Sequence, residues 1–241
     1  MDASSSSKDA PWRSGLRGAR ANLWPGLALQ LAALSLVLAY YNDPRVHGLL
    51  TRLVAVRQSA GLAYGIISTA LFAGILPFLY IRAEGGIAGR KPQFSWVQGL
   101  ALTAFWAYKG LEIDLWYRLL AHSFGTGHSP ATIALKAFFD QFVYCPSFAI
   151  PTVSAAYEAL RDRKGFLSDV RTAGWYRRRV LPILISNWAV WVPAVMIIYA
   201  LSMSLQLPLQ NIIIWFYTLI VAHQTRSAPL PAPLEAVEAA R

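Results

Sequence analysis

Charged residues are scarce in this chain of 241 residues: Asp, Glu, Lys and Arg together make up 14% of it, whereas 56% is apolar. An average soluble domain carries about 25% charged residues. The scarcity of charge therefore argues against an ordinary soluble enzyme or binding module. It favours a polytopic membrane protein built from apolar helices.

Cysteine and catalytic signatures are also nearly absent. The single cysteine, Cys145, excludes an internal disulfide, and its apolar surroundings favour a buried thiol. The sequence contains no Walker A loop, dinucleotide fingerprint, HExxH motif or nucleophile elbow. The histidines lack the spacing and companion ligands of a metal site; they are His47, His122, His128 and His223. We therefore expect no enzyme activity, metal or cofactor.

The net charge of +10 has two explanations, nucleic-acid binding or membrane topology. The basic residues gather between apolar runs and not along one polar face, which favours topology. Membrane lipid is then the expected partner, and nucleic acid is not.

Six apolar segments approach the length of roughly 20 residues that a spanning helix requires. They are Leu23 to Tyr41, Gly61 to Ile81, Phe94 to Leu111, Ala131 to Tyr157, Val180 to Met203 and Leu207 to Ala222. The sequence thus predicts an all-α transmembrane helical bundle with about six spans.

Lysine and arginine give this bundle an orientation. If alternate loops face the same side, sixteen of these residues lie on the side of the amino terminus and five on the other. The five are Arg45, Arg52, Arg57, Lys109 and Arg118. The positive-inside rule then places both termini on the cytoplasmic or matrix side. A bacterial inner membrane and a mitochondrial or peroxisomal membrane both satisfy this expectation.

Asp140 and Gln141 are the most unusual residues of the fourth segment. Counted from Ala131, Asp140 lies roughly 14 Å along the helix, near the middle of a hydrocarbon core about 30 Å thick. Lys136 precedes it by four residues, so the two share a helical face that allows pairing. The residues leave two roles open: lining of a pore or cavity, or hydrogen bonds that hold helices together.

Two prolines should bend the same segment. Pro146 has no N–H for the carbonyl of Phe142, and Pro151 has none for that of Ser147. We expect a kink and freed carbonyls that need partners, inside a bundle or a wet cavity.

Small and amphipathic residues fill the other segments. Asn187 and Trp191 lie one turn apart and offer an amide and an indole N–H to another helix. Gly61 and Gly65 have the GxxxG spacing that allows close helix packing, here within the chain. Trp116, Tyr117 and Arg118 follow the third segment, where we expect Trp116 and Tyr117 at headgroup depth and Arg118 pointing outward. The basic loop from Arg161 to Arg179 fits the positive-inside rule, with anionic lipid as the alternative role.

Three stretches resemble the family of peroxisomal and mitochondrial membrane proteins typified by the twenty-two-kilodalton peroxisomal membrane protein. The family's Asp-Gln with Pro five residues later is similar to Asp140, Gln141 and Pro146. Its Asn-Trp-x-x-Trp-Pro is similar to Asn187, Trp188 and Trp191, with Pro193 displaced by one. Its Gly-Pro-x-x-His-x-Trp-Tyr is similar to Gly110, Trp116 and Tyr117, but Leu111 replaces the proline and Asp114 the histidine.

The resemblance implies a small integral membrane protein whose relatives are described as channels or modulators of solute permeability. It implies four to five spans within residues 61–226. A basic segment, 1–22, and an extra span with its loop, 23–60, precede this region, and a flexible tail, 227–241, follows it.

Residues and resemblance together predict a channel or transporter-like protein for an unidentified small solute. Its polar path would be lined by Lys136, Asp140, Gln141 and Asn187. The alternative is a structural membrane protein in which the same residues lock the bundle. A homo-oligomer is compatible with either.

Overall fold

A computed structural model describes residues 11–87 and 94–224, and within these ranges it is helical without strands. The helices are α1 Pro11–Ala21, α2 Leu23–Asn42, α3 Pro44–Ala60, α4 Leu62–Thr69, α5 Leu76–Ile87, α6 Trp96–Phe124, α7 Pro130–Phe138, α8 Ile150–Arg161, α9 Arg163–Asp169, α10 Leu181–Tyr199 and α11 Met203–Gln224. Three π-helical segments join them: π1 Ala70–Ile75, π2 Phe139–Ala149 and π3 Tyr176–Val180. The predicted flexible tail, 227–241, and the first ten residues lie outside the described residues.

The elements form six long helical rods: α2, α4–π1–α5, α6, α7–π2–α8, π3–α10 and α11. Each predicted apolar segment lies on one of them. Three rods are long and apolar enough to cross a membrane, namely Leu23–Asn42, Leu62–Gly86 and Tyr176–Tyr199. The all-α prediction is therefore confirmed, and the three apolar helices are consistent with an integral membrane protein.

Local signals explain where several helices begin. Ser95 and Gln98 form a capping box at the start of α6. Ser129 caps α7, whose first residue is Pro130. Asp43 caps α3 in the same way, by accepting a hydrogen bond from the Arg45 amide at 2.8 Å.

Large apolar side chains cover the outside of the bundle. Val97 is 78% exposed, Leu100 71% and Ile67 66%. In water such a surface would be costly, whereas in lipid it is the expected one. The outer surface therefore supports a membrane environment.

Neighbouring rods have defined relative directions. Gly26 packs on Val190 and Tyr41 donates to the carbonyl of Ala200 at 3.1 Å, so α2 runs parallel to α10. Phe72 packs on Trp215 and Thr69 on Asn211, so the second rod runs parallel to α11.

The α6 helix runs antiparallel to the second rod, since Gly65 meets Gly110 and Gly74 meets Thr103. It crosses α4 at Gly65 and Gly110, where a Cβ added to Gly110 would lie 2.1 Å from the carbonyl oxygen of Gly65. The glycine pair allows this close crossing, which confirms the prediction that Gly65 packs within the chain. Gly61 differs from the prediction: it has a φ of +57° and lies in the break between α3 and α4 with open space around it.

The third segment is also longer than predicted. We expected it to end at Leu111, with Trp116 and Tyr117 at headgroup depth, but α6 continues unbroken to Phe124. The charges that suggested an end are paired inside the bundle, as described below. Tyr117 is buried in the core.

Candidate functional site

A cavity of about 1070 Å³ lies between α1, α6, α7–π2–α8, π3–α10 and α11. Its lining includes the predicted polar residues Asp140, Gln141 and Asn187. At one end it is lined by Arg178 and Arg179, whose side chains are 49% and 41% exposed. The cavity therefore connects the basic end of the bundle with the buried Asp140.

Asp140 is 5% exposed and its carboxylate lies against α6. Its Oδ1 accepts a hydrogen bond from Nε1 of Trp116 at 3.0 Å, and its Oδ2 accepts one from Nε2 of Gln141 at 3.4 Å. No lysine or arginine among the described residues lies within 4.0 Å of the carboxylate. Asp140 is thus hydrogen-bonded without being charge-paired.

Lys136 does not pair with Asp140 as its spacing allowed, nor does it line the cavity. Its amine lies 6.0 Å from the ring centre of Tyr199. The two side chains have different partners: the Asp140 carboxylate accepts from Trp116 and Gln141, and the Lys136 amine lies against an aromatic face instead.

The π-helix also changes which carbonyls the prolines leave free. In a π-helix the N–H of a residue bonds the carbonyl five residues earlier, so Pro146 frees the carbonyl of Gln141 and not that of Phe142. Nε1 of Trp188 donates to the Gln141 carbonyl at 2.7 Å. A carbonyl that needs a partner is therefore found as predicted, but it belongs to Gln141 and not to Phe142.

Pro151 gives a second example of a carbonyl left without a backbone N–H. It stands five residues after Pro146, whose carbonyl accepts a hydrogen bond from the hydroxyl of Tyr176 at 2.8 Å. Two side chains of the π3–α10 rod therefore satisfy two carbonyls at positions where the prolines have no N–H. The hydrogen bond to another helix thus comes from Trp188 and not from Asn187 or Trp191.

Lys109, Glu112 and Tyr144 form a second polar cluster beside Asp140. The Lys109 amine and the Tyr144 hydroxyl both donate to Oε1 of Glu112, and Lys109 also donates to Thr152 at 3.3 Å. The amine lies 5.6 Å from the ring centre of Tyr144. Trp116 stacks on the same ring with centres 4.7 Å apart, so this cluster and Asp140 share one wall.

Two buried acceptors near this wall lack partners among the described residues. They are Oε2 of Glu112 and Oε1 of Gln141. Of the two residues, Gln141 lines the cavity, and it is 2% exposed. Unpaired buried acceptors are costly, so the Gln141 oxygen points to water or a ligand in the cavity.

Asn187 and Trp191 line the cavity, and among the described residues neither makes the hydrogen bond to another helix that was predicted. No hydrogen bond within the described part of the chain involves the Asn187 amide. Trp191 meets the ring of Tyr217 edge to face, with centres 6.5 Å apart. Pro193 lies inside α10 without ending it.

A third polar cluster, which the sequence did not reveal, ties α3, α6 and α11. Asp114 is completely buried and pairs with Arg57 at 2.6 Å and with Arg118 at 3.2 Å. Arg57 also donates to the carbonyl of Met203 at 2.7 Å. These residues looked like loop or interface charges, and only their contacts across helices identify them as a buried cluster.

The basic end of the cavity is partly neutralised. Arg178 and Arg179 bind Asp169 at 2.6 and 3.1 Å, and Arg179 also lies 3.5 Å from Glu158. Burial alone would raise the pKa of Asp169, but hydrogen bonds and charge from the two arginines outweigh it and lower that pKa below its ordinary value.

The three stretches that carry the family resemblance meet at this site. Trp116 contacts Asp140, Trp188 contacts Gln141, and Gly110 lies on the opposite face of α6 against α4. Within the described residues no group of three His, Cys, Asp or Glu side chains is arranged to hold a metal ion.

Comparison of the chain with family models, curated proteins and solved structures found no match. The site geometry is therefore the basis for a functional proposal.

Proposed function

We propose that this protein is a channel or transporter-like membrane protein in which the cavity beside Asp140 forms part of a path for small polar solutes. The observation that carries the proposal is the cavity of about 1070 Å³ that joins the exposed arginines to Asp140. The unpaired Oε1 of Gln141, a residue of its lining, supports the presence of water there. An intramembrane carboxylate facing a cavity is typical of solute and ion pathways.

We also propose six spans with both termini on the basic side. The parallel α2 and α10, the parallel second and sixth rods, and the antiparallel α6 are the directions that alternate crossing requires. Within the described residues three rods pass on length and hydropathy. Charged and amide side chains inside the bundle lower the hydropathy of α6 and of the fourth rod. These charges face partners and not lipid.

Membership of the peroxisomal and mitochondrial membrane protein family remains a proposal. Contacts of Trp116 with Asp140 and of Trp188 with Gln141 support it, because residues from separate motif stretches touch each other. These hydrogen bonds give a physical reason for the two tryptophan motifs and the Asp-Gln motif to occur in one chain.

Liposome flux is the direct test of the proposed path. Purified protein is reconstituted, and uptake of glycerol and of potassium is compared for the wild type, Asp140→Asn and Asp43→Asn. We expect flux above that of empty vesicles for the wild type and for Asp43→Asn, whose Asn still caps α3, and an altered flux for Asp140→Asn. Flux equal to empty vesicles for all three proteins would overturn the proposal.

A structural role is the second candidate, and the hydrogen bonds of Trp116 and Trp188 favour it. Both join different rods at their most polar positions. This role predicts that Asp140→Asn lowers the melting temperature while no flux is seen with any variant.

A further inference from the structure

A carboxylate beside the cavity wall, Glu112, already has an ammonium partner in the lining residue Lys109. Lys109 is 2% exposed, donates to Glu112 and Thr152, and lies 5.6 and 5.8 Å from the ring centres of Tyr144 and Phe148. A carboxylate, a hydroxyl and aromatic faces are a favourable environment for an ammonium ion. The wall therefore contains a complete ammonium site within the chain.

The surroundings of Asp140 resemble those of Glu112 in having a carboxylate beside aromatic rings, but they contain no paired cation. Trp116 binds its Oδ1 and stacks on Tyr144, and Tyr117 lines the same cavity. Within the described residues Asp140 has no cation within 4.0 Å. A buried carboxylate without a counter-charge is costly, so a cation that enters the cavity gains both charge pairing and ring contacts.

Gln141 supplies a further acceptor at the same position. The residue lines the cavity, its Oε1 is buried and unpaired, and its Nε2 donates to Asp140. An acceptor oxygen beside a carboxylate matches a ligand that has several N–H donors. A neutral alcohol or an anion does not satisfy both groups.

Two of the arginines that line the cavity, Arg178 and Arg179, are paired with Asp169 and Glu158. Their charge is thus largely compensated within the basic end. Arg17 of α1 also lines the cavity, and Asp140 is the carboxylate there without a cation within 4.0 Å among the described residues.

We propose that the cavity binds small organic ammonium ions, with Asp140 as the counter-ion, Oε1 of Gln141 as a second acceptor and Trp116, Tyr117 and Tyr144 as the aromatic wall. This names the substrate class of the path proposed above and rests on that function. The ligand class is a primary or secondary amine in its protonated form.

Three probes of similar size but different charge test the proposal. They are 2-phenylethylammonium, 2-phenylethanol and 3-phenylpropanoate, and their binding to detergent-solubilised protein is measured by calorimetry and by thermal shift. We expect the ammonium probe to bind at least about tenfold more tightly than either other probe, since it alone pairs with the carboxylate. Equal affinity for the alcohol, or no binding of the ammonium probe, would overturn the proposal.

Two variants separate binding from folding. Asp140→Asn should lower the affinity for the ammonium probe by about 10- to 100-fold, whereas Asp43→Asn should leave it unchanged. Gln141→Leu removes the unpaired Oε1 and keeps the backbone carbonyl that Trp188 binds. It also removes the Nε2 donor to Asp140, so the melting temperature without ligand should fall slightly. The affinity of the folded protein should fall about 2- to 10-fold. Unchanged affinity in both cavity variants would contradict the assigned site.

The same reconstituted vesicles distinguish this proposal from the proposed path. Glycerol flux that depends on Asp140, with no ammonium binding, would overturn the ligand class and leave the path standing. Ammonium binding without flux of any solute would support the ligand site and overturn the path.

Discussion

At the scale of the residue, the hydrogen bond from Trp116 to Asp140 is the contact that fixes the carboxylate. Asp140 and Gln141 were identifiable from the sequence because polar residues inside an apolar run stand out. Their partners were not identifiable, because Trp116 precedes Asp140 by 24 residues and touches it only after two helices pack. Lys136, four residues away, was the wrong partner, because neutral donors satisfy the carboxylate and the Lys136 amine lies against the ring of Tyr199.

Trp116→Phe keeps an aromatic ring but removes the donor to Asp140. We expect the free energy of unfolding to fall by about 1–2 kcal/mol, because a buried carboxylate loses a hydrogen bond. Trp191→Phe is the matched control, since the structure shows no hydrogen bond for the Trp191 indole. Both are measured by denaturant or thermal unfolding in detergent, and equal losses would contradict the assigned bond.

At the scale of the element, the π-helix around Asp140 decides how α7–π2–α8 meets the π3–α10 rod. The prolines indicated that this helix is irregular, but they did not indicate that it is π-helical. A π-helix shifts the free carbonyl from Phe142 to Gln141, and Trp188 meets it there. Which carbonyl is left free for a partner depends on the position of the Trp188 indole on another rod, so the sequence of the fourth rod alone does not determine it.

A double-mutant cycle tests this coupling. Trp188→Phe should cost about 1 kcal/mol in the wild-type background, because it leaves the Gln141 carbonyl unpaired. In Pro146→Ala the new N–H at position 146 can bond that carbonyl, so the same substitution should cost clearly less. The cycle is measured by unfolding in detergent, and identical costs in both backgrounds would contradict the π-helical pairing.

The crossing of α4 and α6 gives a second test at this scale. Gly110→Ala places a Cβ 2.1 Å from the carbonyl of Gly65, so the helices must separate, at a cost of about 1–3 kcal/mol or more. Gly48→Ala is the control, because a Cβ there meets nothing within 4 Å and helix propensity favours Ala by roughly 0.5–1 kcal/mol. The melting temperature should fall in the first variant and stay level or rise in the second. A melting temperature of Gly110→Ala equal to that of the wild type would contradict the crossing.

At the scale of the whole molecule, the lengths of the apolar runs were enough to predict the helical class and the approximate place of the six rods. They did not predict that Lys109, Glu112 and Asp114 lie inside the bundle. Hydropathy treats such charges as signs of a loop, whereas pairing with Arg57, Tyr144 and other residues lets them remain buried. The end of the third segment was misplaced for this reason.

The six-span arrangement predicts the sides of two loops. In a Cys145→Ser background, Gly127→Cys lies between α6 and α7, and Lys164→Cys lies on α9. A membrane-impermeant thiol reagent should reach these two positions from opposite sides of the membrane. Labelling of both from the same side would rule out alternate crossing by α7–π2–α8.

The central claim is that water reaches the Asp140 cavity from the basic end of the bundle, and Cys145 reports on it directly. This thiol is 7% exposed and lines the cavity. Single-cysteine references in a Cys145→Ser background are Ser186→Cys in the cavity and Leu100→Cys on the apolar outer surface.

A small charged thiol reagent is applied from each side to sealed vesicles of known orientation. The account predicts modification of Cys145 and of Ser186→Cys from the basic side, and none of Leu100→Cys. Absence of modification at Cys145 while Ser186→Cys reacts, or modification of Cys145 from the opposite side alone, would contradict it.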